Sequence, residues 1–154
     1  MTDALPHTLK TLEALPSGLV VFTNLRTLTR LCSSSDFLDG YLGTREVVEK
    51  ILPPDRGHAR IWSQQMMRAD NRILILRRGR AQAAVWWEVA VALAVVGHLV
   101  LIELDAGGDE DRARALIQAQ IAASDPETAS MARGVLKGLI GGDGVLTPLA
   151  ADPA

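Results

Sequence analysis

Residues 72–105 constrain the fold of this chain more than any other stretch. Two aliphatic runs, 73–76 and 99–102, lie on either side of an Ala- and Val-rich segment that covers residues 81–97. Short apolar runs bounded by polar residues or glycine are typical of buried strands, and the segment between them is long enough for a helix. The order predicts a strand, a crossover helix and a second, parallel strand.

The first part of the chain predicts one strand between two helices. Residues 19–22 form an apolar run after a glycine, which indicates a buried strand. Leucines at helical spacing predict one helix in an N-terminal extension, residues 1–16, and another directly after the strand, with Asn24 as its N-cap. Residues 33–43 have the composition of a loop.

Four further helices and an edge strand are predicted on the same grounds. Apolar spacing predicts a helix over residues 44–52, capped by Thr44, and a second helix over 55–70 that turns Ile61 toward the core. The elements predicted after Asp105 are a helix that begins near Asp109, a helix from a Ser124/Glu127 capping box to Ile140, an edge strand over 145–147 and a tail over 148–154.

This order predicts a single domain over residues 1–154 with an α/β fold, a flavodoxin-like doubly wound parallel sheet with helices on both faces. Strands that are wholly apolar are expected when helices cover both faces of a parallel sheet. In such folds ligands bind outside the carboxyl ends of the strands. We therefore expect Asn24, Arg77 and Arg78, which follow predicted strands, to lie at the binding edge.

Composition limits the classes of function. The formal net charge of -2 offers no basic face, so nucleic-acid binding is not expected. The single cysteine, Cys32, excludes an intrachain disulfide and favours a cytoplasmic location. The three histidines lack the spacing of metal ligands, and no metal or cofactor is predicted.

A membrane span is the alternative interpretation of the apolar segment. Residues 81–104 are long enough to cross a bilayer. The segment contains Glu88, His98 and Glu103, however, and ionisable side chains are costly in lipid. The soluble interpretation is therefore favoured.

Glu88 is the candidate catalytic residue. Its neighbours on the predicted helix are alanines and valines, and a carboxylate on so apolar a face loses hydration unless a cation compensates. A carboxylate of this kind in a cleft is a candidate acid, base or nucleophile. The structural alternative is that Glu88 forms a salt bridge with an arginine at the edge of the sheet.

Three further side chains could bind a substrate beside Glu88. Guanidinium groups suit phosphate geometry, so Arg77 and Arg78 could hold a pyrophosphate, although such a run is also typical of a solvated loop. Trp86 and Trp87 point to different sides of a helix, so at most one of them can stack on a ligand ring. We assign that role to Trp87 and expect at least one tryptophan in the core.

This stretch resembles the Toll/interleukin-1 receptor (TIR) domain and the nucleoside 2-deoxyribosyltransferase group that shares its fold. The resemblance rests on the strand 73–76, the Arg77-Arg78-Gly79 loop, the helix that carries Trp86-Trp87-Glu88, and the strand 99–102.

The resemblance implies that Glu88 attacks or stabilises a ribosyl oxocarbenium when an N-glycosidic bond breaks, with NAD or a related nucleotide as the substrate rather than a cofactor. The partners it implies are a nucleotide, a further copy of the chain or another TIR-like domain, in signalling or defence. The alternative is a non-catalytic TIR-like module that acts by self-assembly.

Overall fold

The computed structural model describes residues 5–104 and 106–148, which form seven helices and seven strands. The helices are α1 (Leu5–Ala14), α2 (Leu25–Cys32), α3 (Ser35–Asp39), α4 (Arg56–Met67), α5 (Ala83–Val95), α6 (Glu110–Ala123) and α7 (Pro126–Val135). The strands are β1 (Gly18–Phe22), β2 (Tyr41–Leu42), β3 (Arg45–Ile51), β4 (Ile73–Arg77), β5 (Leu99–Glu103), β6 (Leu136–Ile140) and β7 (Leu146–Thr147).

All seven strands belong to one sheet in the order β2-β3-β4-β5-β1-β6-β7. The five inner strands are parallel, and the short strands β2 and β7 pair antiparallel at the two edges. β1 lies near the centre, where Val20 pairs with Leu101 of β5 on one side and with Gly138 of β6 on the other. The predicted α/β fold with a doubly wound, mostly parallel sheet is confirmed.

The central strands bury side chains on both faces of the sheet because helices cover both. On one face Val20 and Phe22 pack with residues of α1, α2 and α3. On the other, Leu19 and Val21 pack with residues of α4, α5, α6 and α7. Helices on both faces explain why these strands are continuous apolar runs rather than alternating ones.

Helix α5 is the predicted crossover helix, and it is buried on nearly every side. It joins β4 to the adjacent parallel strand β5 and packs against α4 and α7. A helix that is hydrophobic all round must be buried in this way. Its outer strip is formed by Ala84, Glu88 and Ala92. Among the described residues, no helix combines the length and the apolar character needed to cross a bilayer.

The helix predicted over residues 44–52 is wrong, because these residues form β3. Gly40 and Gly43 both have positive φ and set up the short β2–β3 hairpin, so Thr44 lies in a turn rather than at a helix cap. The predicted loop over 33–43 is also more regular than expected, since it contains α3 and β2. Helix α4 confirms the next prediction, although Ile61 is 56% exposed instead of buried.

The last predicted helix is too long, because α7 ends at Val135 and the chain continues as β6. Gly138, with φ of +152°, lies so close to β7 that a Cβ there would be 2.3 Å from the Thr147 carbonyl oxygen. The N-cap of α7 is Asp125, which accepts from the Thr128 N–H, and the Ser124 hydroxyl donates to Gln120. The predicted Ser124/Glu127 capping box is therefore wrong.

The predicted closing strand is confirmed as β7, which pairs with β6. Most of the predicted tail, residues 149–154, lies outside the described residues, as do residues 1–4 of the predicted extension. The described part of that extension is integral to the core: Leu12 of α1 is fully buried, and the Arg45 guanidinium donates hydrogen bonds to the carbonyl groups of Leu12 and Leu15.

Candidate functional site

The turn at the carboxyl end of β1 connects directly to α2 through Thr23 and Asn24. Thr23 is fully buried; its N–H donates to the Ile140 carbonyl at 3.0 Å, and its carbonyl accepts from the Gly108 N–H at 2.7 Å. The Asn24 side-chain oxygen accepts from the Arg26 N–H at 2.8 Å, as the predicted N-cap should. The polar backbone of Thr23 and the Asn24 oxygen are therefore already bonded within the protein.

The Asn24 amide nitrogen lies between the loops that follow β5 and β6. A Cβ added to Gly108 or Gly142 would be 3.5 Å or 3.6 Å from this nitrogen, so both loops approach it closely. Beside it lies a cavity of about 250 Å³, lined by Leu5, Thr8, Asn24, Arg26, Thr27, Arg30 and Gly142. The Thr8 and Thr27 hydroxyls in this lining donate to backbone carbonyls.

The two arginines after β4 are held by the protein itself. The Arg77 guanidinium forms an ion pair with Glu49 and contacts the Cys32 sulfur at 3.6 Å. Burial acts to lower the pKa of Arg77, but the hydrogen bond and charge of Glu49 outweigh it, so this pKa is raised and the side chain stays charged. Arg78 Nε donates to the Ala81 carbonyl at 2.8 Å.

These arginines border a second cavity, of about 230 Å³, at the carboxyl ends of β4 and β5. Its lining consists of Leu28, Leu76, Arg77, Arg78, Gly79 and Glu103. Cys32 lies beside Arg77, but burial, reinforced by the Glu49 carboxylate, raises the pKa of its thiol. Because the thiolate is the nucleophilic form, Cys32 is not an activated nucleophile.

Glu88 lies on the outer surface of α5. Its side chain is 46% exposed, and its nearest cation is Arg56, at 3.9 Å. Glu88 is therefore not buried among apolar side chains, as its neighbours in the sequence suggested it would be. The structural alternative of an arginine partner is closer to what is observed, although the arginine comes from α4 rather than from the loop after β4.

Glu88 opens onto two adjoining depressions. The first, the α4–α5 groove, has a volume of about 310 Å³ and is lined by Arg56, Arg60, Ser63, Gln64, Met67, Val85, Glu88, Val89 and Ala92. The second, of about 180 Å³, is lined by Arg56, Ala84, Trp87, Glu88, Gln120, Ala123, Ser124, Asp125 and Thr128. Hydrogen bonds from Thr128 hold the pKa of Asp125 below its usual value.

The two tryptophans are both in the core, and they differ in hydrogen bonding. Trp86 Nε1 donates to the Leu76 carbonyl at 3.1 Å. Trp87 is 1% exposed, and its Nε1 is a buried donor without a partner among the described residues. An unpartnered buried donor costs about 1–3 kcal/mol of stability. Trp87 borders the second depression together with Glu88, but at 1% exposure its indole is not open to a ligand ring.

The structure does not bring the predicted site residues together. Asn24 borders one cavity, Arg77 and Arg78 border another, and Glu88 with Trp87 borders a third. The strand-end residues and Glu88 belong to different surfaces because Glu88 lies in the second turn of α5, on the side turned away from the sheet.

Sequence reasoning missed the arginines of α4, which form one wall of the α4–α5 groove. Arg56 and Arg60 both line it, and α4 contains no acidic residue. A helix with basic residues, no acidic residue and an apolar side chain at Ile61 is a pattern from which this surface could have been predicted. The helical spacing that predicts a core position for Ile61 instead points this face of α4 inward.

Within residues 5–104 and 106–148, no group of three or more His, Cys, Asp or Glu side chains is arranged to hold a metal ion.

Comparison with known proteins supports the fold alone. No protein-family model and no curated protein sequence matches the chain. A solved structure of the pilus retraction motor PilT with bound ADP matches with a TM-score of 0.58 at 14% sequence identity, over 90% of this chain. The match covers 45% of the PilT chain, so this chain spans less than half of its length. The TIR-like resemblance is neither supported nor excluded by this match and stays a prediction.

Proposed function

We propose that this chain is a non-catalytic α/β domain that acts by associating with further copies of itself. The observation that carries the non-catalytic part of the proposal is the internally bonded turn at Thr23 and Asn24, and the association is what the TIR-like resemblance implies. In open α/β sheets the carboxyl ends of the strands are where ligands bind. Here the Thr23 backbone is bonded to β6 and to the loop after β5, and the Asn24 side-chain oxygen is bonded to α2, whereas the Asn24 amide nitrogen borders a cavity.

The PilT structure that this chain resembles over part of its length contains bound ADP, so the connection between β1 and α2 can be compared with phosphate-binding loops in general. Phosphates in α/β proteins are commonly held by a glycine-rich loop that leads from a strand into a helix N-terminus. In this chain two residues, neither of them glycine, separate β1 from α2. We therefore propose that the chain shares an α/β fold with part of such a motor protein and binds no nucleotide phosphate at the turn between β1 and α2.

The test combines a ligand measurement with an assembly measurement on the purified protein. Calorimetry with ADP, ATP and NAD should give no heat of binding, whereas sedimentation equilibrium should show a mass that rises with protein concentration. Tight binding of any of these nucleotides would contradict the non-catalytic assignment. A monomer at every concentration would contradict the association.

Cleavage of the N-glycosidic bond of NAD at Glu88 is the second candidate function. The observation that favours it is that the Glu88 carboxylate opens onto a depression bordered by Trp87. The substrate roles of Asn24, Arg77 and Arg78 receive no such support, because they border other cavities.

Nicotinamide release separates this candidate from the first. The wild type should release nicotinamide from NAD, Glu88→Gln should not, and Glu127→Gln, an exposed glutamate on α7, should match the wild type. No release by the wild type would remove this candidate and leave the association proposal in place. The cytoplasmic location stays a prediction from the single cysteine.

A further inference from the structure

His98, the residue before β5, is 1% exposed, whereas His7 and His58 are both exposed. Each nitrogen of its ring contacts a backbone group: the Arg72 N–H is 3.1 Å from Nδ1, and the Met66 carbonyl oxygen is 2.7 Å from Nε2. Because a backbone N–H can only donate, Nδ1 accepts and carries no proton. The single ring proton is therefore on Nε2, which donates to the carbonyl, and the ring is neutral.

The imidazole ring links the end of α4 to the start of β4. Met66 lies in the last turn of α4, and Arg72 directly precedes β4. The Asn71 side-chain amide, between them, donates to the Pro16 and Gly97 carbonyls at 2.7 Å and 2.6 Å. The polar contacts at this edge thus hold the segment 66–72 to the residues that precede β1 and β5.

A second proton on the ring is incompatible with these contacts. A protonated histidine has a donor on each nitrogen and no acceptor. Its Nδ1–H would face the Arg72 N–H, and that N–H would lose its only acceptor. A donor left without a partner and a charge inside the protein both destabilise the closed arrangement.

The charged groups around His98 do not compensate a charge on the ring. The charged side chains on the segments beside it are those of Arg68, Asp70, Arg72 and, next to the start of β1, Lys137. Arg72 is paired with Glu46 at 3.2 Å, so cations outnumber anions here. Residues 16–22 and 89–97 contain no charged side chain. Within the described part of the chain, no carboxylate forms an ion pair with the ring.

We infer that His98 is a pH-sensitive latch, which as a neutral ring holds the end of α4 to the start of β4 and on protonation releases the segment 66–72. Histidine is the side chain that ordinarily changes its charge between pH 5 and 8. The open segment takes up a proton that the closed one excludes, so opening becomes more favourable as the pH falls. The latch does not depend on the proposed association.

The experiment is amide hydrogen exchange followed by NMR at about pH 7.5 and about pH 5.5, with each rate corrected for its intrinsic pH dependence. In the wild type the Arg72 amide should lose about tenfold or more of its protection at the lower pH, because its opening is coupled to the uptake of one proton. The amides of β1 should keep theirs. Nitrogen NMR of the His98 ring at the higher pH should show the proton on Nε2.

Two variants test whether this residue carries the pH dependence. His98→Gln is neutral at both pH values, so the protection of its Arg72 amide should not change between them. His58→Gln, which removes an exposed histidine of α4 that pairs with Asp55, is the matched control and should keep the wild-type pH dependence. A wild-type ring with its proton on Nδ1, or wild-type protection of Arg72 that is the same at both pH values, would overturn the latch even if His98→Gln does not fold.

Discussion

The carboxyl end of β1 and the outer surface of α4 and α5 use polar residues in opposite ways. At the end of β1 the polar groups of Thr23 and the Asn24 oxygen are bonded to backbone within the domain. On the outer surface Arg60 has no partner within the described residues, and Glu88 has only Arg56 at 3.9 Å. The polar groups at the end of β1 bond within the domain, whereas the charged groups on the outer surface of α4 and α5 face solvent.

The difference shows that fold class and functional position are separable. In a doubly wound sheet the ligand site is expected at the strand ends. In this chain the connection after β1 is only two residues long, and its atoms are hydrogen-bonded within the domain. Function depends on the site and not on the fold alone. Arg60, Glu88 and the exposed Ile61 and Met67 lie on a helix surface that the fold class does not single out.

The largest loss of stability is expected from Trp87→Ala, which tests the packing of the core beneath the outer surface of α5. Trp87 is fully packed between α5 and the other helices on its face of the sheet, so removing the indole leaves a large cavity. We expect the free energy of unfolding to fall by about 3–5 kcal/mol. Urea denaturation followed by circular dichroism measures it, and a loss below about 1 kcal/mol would show that the side chain is not packed as described.

Replacing each tryptophan by phenylalanine should give a smaller loss of stability, and the loss should differ between the two positions. Trp86→Phe loses the hydrogen bond to the Leu76 carbonyl, whereas Trp87→Phe removes a donor that has no partner. We expect Trp86→Phe to cost about 1–2 kcal/mol more than Trp87→Phe in urea denaturation. An equal cost for both would mean that Trp87 Nε1 has a partner, such as a buried water.

At the end of β1, Asn24→Ala should lower the free energy of unfolding by about 1 kcal/mol, because α2 loses its cap. Asn24→Asp keeps the accepting oxygen and serves as the control, with a loss near zero. Thermal denaturation of the three proteins side by side is sufficient. If the aspartate variant lost as much as the alanine variant, the cap would not be the role of this side chain.

The smallest effect on stability is expected on the outer surface. Ile61→Ser changes an exposed side chain, so the unfolding free energy of the monomer should stay within about 0.5 kcal/mol of the wild type. Chemical denaturation at low protein concentration measures it. A loss of 2 kcal/mol would place Ile61 in the core, where its spacing in the sequence first suggested, and would remove the contrast between the two regions.

The central elements were predictable because their sequences fit a single structure. The runs 73–76 and 99–102 are too short for helices, and α5 is too long for a strand. β3 was predicted as a helix because its apolar residues fit helical spacing as well as they fit a partly buried strand near the edge of the sheet. These residues are Val47, Val48, Ile51 and Leu52. The positive φ of Gly43 decided between the two, by forming the hairpin.

The candidate site was less predictable because it depends on which helix lies beside which. The Asn24 cap is local, so the sequence was sufficient to predict it. The contact of Glu88 with Arg56 joins α5 to α4, and no pattern within either helix specifies that pairing. The exposed position of Glu88 likewise follows from the arrangement of α4 and α7 around α5, which is a tertiary property.

The central position of β1 has a consequence for synthesis on the ribosome. Val20 of β1 pairs with Leu101 of β5 and with Gly138 of β6, so neither edge of β1 can be paired until these later segments have been synthesised. Pairing of such distant segments is slow, and an unpaired apolar strand is prone to aggregate in the meantime. β1 is therefore synthesised before the strands that pair with its two edges, and its apolar side chains stay uncovered until those strands follow.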